Sequence, residues 1–118
     1  MLDRKRIALL ASLIVAPALV PLGARAQTVV YPAHITEVLT GWNSDNVSIA
    51  TDVPVANPAH CSTPDIYTSP AGSPGNRTYL AAALTALANK LPVTVVVSNT
   101  TCDSTGRPYI LAVSPSTP

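Results

Sequence analysis

The stretch "RTYLAAALTALANKLPVTVVV", Arg77 to Val97, decides the architecture of this chain. Leu80, Leu84 and Leu87 recur at helical spacing among five Ala residues of high helix propensity, which predicts a helix over "RTYLAAALTALANKL" with one apolar face laid on a sheet. Asn89 followed by Lys90 suits its end, because Asn tolerates the left-handed conformation that closes helices. Upstream, "SPAGSPGN", Ser69 to Asn76, is a loop of turn formers in which Ser73 or Asn76 can cap the helix start. From Val93 the pattern changes. Val93 to Ser98 is a strand, and its three consecutive Val residues predict burial on both sides.

Three strand candidates precede the helix. The first is His34 to Thr40, where Ile35, Glu37 and Leu39 alternate in direction with Thr36 and Val38. "GWNSDN", Gly41 to Asn46, reads as a turn into a second strand, Val47 to Thr51, with Val47 and Ile49 on one face. A third, irregular strand covers His60 to Tyr67, and Pro54, Pro58 and Pro64 make its surroundings edge-like. A fifth strand, Tyr109 to Val113, alternates Tyr109, Leu111 and Val113, and residues 114–118, "SPSTP", are predicted to be a disordered tail. Three strands, a helix and two strands is the element order of the OB-fold. That predicts a mainly β domain with one α-helix over residues 27–113, a five-stranded OB-like barrel with its helix between strands 3 and 4.

The first residues point to a compartment. Arg4, Lys5 and Arg6 precede an apolar run from Ile7 to Val20, too short for a spanning helix of about 20 residues. Pro17 and Pro21 interrupt it, and Ala24-Arg25-Ala26 follows as a small-x-small cleavage site, so residues 1–26 are predicted to be a signal peptide cut before Gln27. The protein is then exported, periplasmic or secreted, with no membrane attachment after cleavage. Processing also changes the charge: Arg77, Lys90 and Arg107 stand against Glu37, Asp45, Asp52, Asp65 and Asp103, a net −2 in place of the +1 of the whole chain.

Export settles what the two cysteines do. An even count in an oxidising compartment predicts a Cys61–Cys102 disulfide. Closing a loop of about 40 residues is worth roughly 4 kcal/mol in the chain-entropy model, comparable to the whole stability of a small domain. A metal role fares worse, since there is no C-x-x-C and the spacing of His34 and His60 matches no zinc pattern.

No reaction centre emerges from the remaining residues. There is no G-x-S-x-G elbow, no paired acidic motif and no phosphate-binding glycine loop, so no catalytic residue and no cofactor are expected. His34 sits in a strand pattern and His60 beside Cys61. Each reads as a surface or satisfied histidine, and a small hydrolase built on either is a distant third reading. Nucleic-acid binding, common among OB-folds, needs a basic groove and stacking aromatics, and three basic residues in a net acidic domain exclude it. Trp42, in the first turn, is the one possible ligand contact. It can stack on a sugar or a partner, but a lone Trp usually buries most of its surface, which favours capping one end of the barrel. "NVS", "NRT" and "NTT" at Asn46, Asn76 and Asn99 are formal glycosylation sequons that read as products of Ser/Thr-rich loops.

"ITEVL" at Ile35, "PAHC" at Pro58, "LAAALTALANKLPVTVVV" at Leu80, Cys102 and "RPYILAV" at Arg107 together resemble a family of small, exported, largely uncharacterised bacterial proteins. Asn89 stands where that family usually has Gly before Lys. The resemblance implies an OB-like barrel with one disulfide and no known reaction. More distantly, "NKLPVTV" is similar to the helix-to-strand step of the receptor-binding B subunits of bacterial AB5 toxins. The resulting expectation is a small exported binding or accessory module whose partner is an unknown protein or glycan. The alternative is a glycan-binding lectin of the B-subunit kind.

Overall fold

The computed structural model describes residues 26–118, so the predicted signal segment, apart from Ala26, lies outside the described residues. Among them are five strands and one helix, in the order β1 (Gln27–Thr40), β2 (Val47–Thr51), β3 (Tyr67–Ser69), α1 (Asn76–Asn89), β4 (Pro92–Cys102) and β5 (Pro108–Pro115). The predicted mainly β chain, with its helix between the third and fourth strands, is what forms. The pairings run β1-β2-β3-β5-β4 and close on themselves, since β4 returns to β1. All neighbours are antiparallel except β3 and β5, which meet in parallel through Thr68 opposite Tyr109.

β1 does the work of two strands. Its first half pairs with β4, Gln27 opposite Ser98, and its second half with β2, Thr40 opposite Val47. The expected start at His34 is therefore corrected to Gln27. Pro32, in a cis Tyr31–Pro32 bond, falls between Val30 and Ala33, where the register with β4 slips and no ladder N–H is required of it. A second slip, between Ile35 and Glu37, changes which face is buried. Ala33 and Ile35 point inward before it and Val38 packs on the core after it, so Ile35, Glu37 and Leu39 do not share one face as the alternation predicted.

The interior is filled by Val47, Ile49, Tyr67, Val93, Val95, Val97 and Ile110. Each such aliphatic side chain contributes about 1.5–3 kcal/mol through burial. β4 was expected to be buried on both sides, but it alternates: Val93, Val95 and Val97 are fully buried, while Thr94 and Val96 on the other face are only half-buried. The predicted third strand, His60 to Tyr67, shrinks to Tyr67–Ser69. The segment before it is irregular and held by side chains instead. Asn57 brackets Cys61, its Oδ1 accepting from the Cys61 N–H at 2.8 Å and its Nδ2 donating to the Cys61 carbonyl at 3.0 Å. The Tyr67 hydroxyl accepts from the Ala56 N–H at 2.8 Å, and burial pushes its pKa up.

α1 packs against β1, β5 and β2. Its buried seam is Ala83 and Ala86, with Leu80 and Leu87 beside it against the core, whereas Leu84, expected on the packing face, is 48% exposed. Small Ala side chains let the helix axis approach the sheet, so the leucines flank the contact. Gly75 occupies the N-cap position without a side-chain cap bond, correcting the expectation of Ser73 or Asn76. At the other end Lys90, not Asn89, takes the left-handed conformation (φ 53°), and Asn89 is the last helical residue. β5 also runs past Val113 to Pro115, and the Ser116 N–H donates to the Pro92 carbonyl at 2.9 Å, so the first part of the predicted disordered tail belongs to the sheet.

Candidate functional site

β2 and β3 turn Val47, Ile49 and Tyr67 inward, which by strand alternation points Ser48 and Thr68 outward as a directly opposed pair. Their hydroxyls bond each other at 2.9 Å. The two carry two O–H protons between them, and that bond uses one. This pair is the floor of an open groove of about 650 Å³. One wall is the β1–β2 loop, with Trp42, Ser44 and Asn46; the other is the β4–β5 loop, with Asp103, Thr105 and Arg107.

Each wall is held by its own bonds. In the first, Gly41 and Asn43 have positive φ (79° and 61°), which turns the chain sharply and leaves Trp42 outside the core. The Thr40 hydroxyl donates to the Asn46 carbonyl and Asn76 Nδ2 to the Asp45 carbonyl, both at 2.8 Å, so the start of α1 braces this loop. In the second, the hairpin "DSTGR" closes through Gly106 N–H to the Asp103 carbonyl at 3.0 Å and Asp103 N–H to the Arg107 carbonyl at 2.9 Å. The Asp103 carboxylate lies within the turn, accepting from the Arg107 N–H at 2.7 Å, the Thr105 N–H at 3.1 Å and the Thr105 hydroxyl at 2.8 Å.

Three links fix this hairpin to the irregular segment before β3. The Cys61–Cys102 disulfide is formed as predicted, with Cα atoms 5.7 Å apart. Cys102 is the last residue of β4 and not part of the turn beyond it. The Thr63 N–H donates to the Gly106 carbonyl at 2.8 Å. Arg107 forks onto Asp65, Nε to Oδ1 at 2.7 Å and Nη2 to Oδ2 at 3.1 Å, while Nη1 donates to the Thr105 hydroxyl at 2.9 Å. The guanidinium hydrogen bonds hold the Asp65 pKa below its ordinary value, and in return Asp65 raises that of Arg107.

Trp42 is 71% exposed and lines the groove, which corrects the preference for a Trp buried as a barrel-end cap. His34 lies apart from the groove, paired with Asp52: its Nδ1 is 3.1 Å from Oδ2 and its N–H donates to Oδ1 at 2.8 Å. These bonds, the backbone one first, lower the Asp52 pKa. His60 is exposed at a positive φ (54°) next to Cys61. The structure brings neither histidine to the groove lining. Among the described residues no group of three His, Cys, Asp or Glu side chains is placed to hold a metal, and no helix is long and apolar enough to cross a membrane. Of the sequon asparagines, Asn76 uses its amide to bond Asp45, Pro70 and Ser69.

Sequence reasoning found Trp42 and the disulfide but not the groove's polar floor or the role of "DSTGR". Ser48 and Thr68 each look ordinary in a strand, and only the β2–β3 register places them side by side. No protein-family model matches this chain, and no curated protein does.

Proposed function

We propose that this chain is a small exported, non-catalytic binding module on an OB-type barrel, and that the groove between its β1–β2 and β4–β5 loops takes a saccharide. The observation that carries this reading is Trp42, a large aromatic plane left in solvent at the mouth of a groove floored by hydroxyls. A pyranose has the complementary chemistry, with an apolar C–H face that stacks on an indole and a rim of hydroxyls that exchange bonds with Ser, Thr and Asn. OB-folds use this same face and these same loops for oligosaccharides and oligonucleotides. The net negative charge of the processed chain disfavours the second. The disulfide is compatible with export, and the intact mass of the exported protein should place its N-terminus at Gln27.

The chain has a single tryptophan, so its fluorescence reports Trp42 alone. Titration with an array-selected glycan should shift that emission to the blue. By titration calorimetry, Trp42→Phe, which keeps a smaller ring, should bind more weakly, and Trp42→Ala should lose about 1–3 kcal/mol, the worth of stacking on a ring. Emission that ignores every glycan while the domain stays folded would overturn the reading.

A further inference from the structure

We infer that the groove selects uncharged glycans and rejects acidic ones, an inference that rests on the saccharide reading above. The argument is the charge balance of the groove wall. Acidic sugars carry carboxylate, sulfate or phosphate groups, and a protein recognises them with a guanidinium or ammonium free to form a fork. The one basic side chain lining the groove is Arg107, and three of its five N–H donors are already engaged. Nε and Nη2 are on the two oxygens of Asp65, at 2.7 and 3.1 Å, and Nη1 is on Thr105, at 2.9 Å. Asp103, in the same wall, brings a second carboxylate that is only 8% exposed and accepts from Arg107 N–H and Thr105. Asp65, which holds Arg107 from outside the lining, and Asp103 within it set two carboxylates against one guanidinium, so an anionic ligand meets net repulsion and competes with Asp65 and Thr105 for Arg107.

The opposite wall does not reverse this. Trp42, Ser44 and Asn46 are uncharged, and Asp45 between them lines the adjoining hollow together with Arg77, one charge of each sign. What the groove offers a ligand is an aromatic plane, hydroxyls and amides, all suited to neutral sugar hydroxyls.

Matched glycan pairs test this on the intact oxidised protein: N-acetyllactosamine with and without terminal sialic acid, and neutral hexose oligomers against the corresponding uronic acid oligomers, each followed by Trp42 emission. Each neutral member should bind at least about tenfold more tightly than its acidic partner, with an affinity nearly independent of salt. Asp65→Asn, which removes one carboxylate charge from Arg107, should narrow the gap by raising the affinity for the acidic members. Equal or tighter binding of the acidic members to the unaltered protein, weakening as salt is added, would overturn this inference and leave the saccharide reading intact. Silence across both halves of the panel would overturn the saccharide reading itself.

Discussion

Removing the crosslink should cost this domain a large share of its stability. In a Cys61→Ala/Cys102→Ala double variant the native contacts around the bond largely remain. Asn57 still brackets residue 61, Thr63 still bonds Gly106, and Asp65 still holds Arg107. The loss therefore falls on the unfolded chain, which regains the freedom of a loop closed across a sequence separation of 41. The chain-entropy relation gives about 4 kcal/mol for that loop at 25 °C, inside the range of about 2–5 kcal/mol typical of small secreted domains. At about 4–8 °C per kcal/mol for a domain of this size, Tm should fall by roughly 16–32 °C. Urea unfolding followed by circular dichroism, oxidised protein against double variant, measures the difference directly. The urea dependence should also steepen, because the uncrosslinked unfolded chain exposes more surface. A difference below about 1 kcal/mol with unchanged urea dependence would refute the reasoning, since the crosslink would then not be restricting the unfolded state.

Other perturbations act on different parts of the molecule. Ile110→Ala, at a fully buried position, should destabilise by about 2–5 kcal/mol in the same urea assay. Gly106→Ala faces a positive φ of 81° and would place a Cβ against the Ser62 hydroxyl, so it should cost about 1 kcal/mol or more in the same assay and move the β4–β5 wall. Asp65 and Asp52 both have pKa values held below 3.8, so their pairing stabilises the fold fully above that value and is lost as pH falls through the lower folded value. Asp65→Asn should therefore flatten the acid limb of the stability curve, and an unchanged limb would show that the Arg107 pairing contributes nothing to it.

The helix and the first, second, fourth and fifth strands were legible because their apolar residues follow a period that backbone geometry imposes. Val47 and Ile49 alternate as a strand must, and the Ala/Leu run of α1 reads at 3.6 residues per turn. What failed was phase and extent. The slip between Ile35 and Glu37 is invisible in a strand whose residues are all compatible with either face. The stretch before His34 was missed because Pro32 can lie within a strand only where the ladder is interrupted, and the register slip there is not visible in the sequence. Leu84 is chemically a core residue and Ala83 is not, yet close helix–sheet approach selects Ala83. For the site, Trp42 was legible as a candidate because it is a large aromatic placed in the turn after β1. The groove was not, because it is assembled from two loops far apart in sequence over a floor that only strand register defines.

The closing pair of the ring, Gln27 opposite Ser98, has a consequence for the order of events in synthesis. The first residue of β1 finds its partner only near the far end of the chain, and β5, which completes the β4 side, comes later still. Shutting the ring carries the loop-closure entropy of nearly the whole domain before its contacts repay it, which places this fold among slow folders. A ribosome-bound chain holds a helix and a β1–β2 hairpin at most, with β1's first half unpaired. The topology itself postpones closure of the ring until β4 and β5 have left the ribosome.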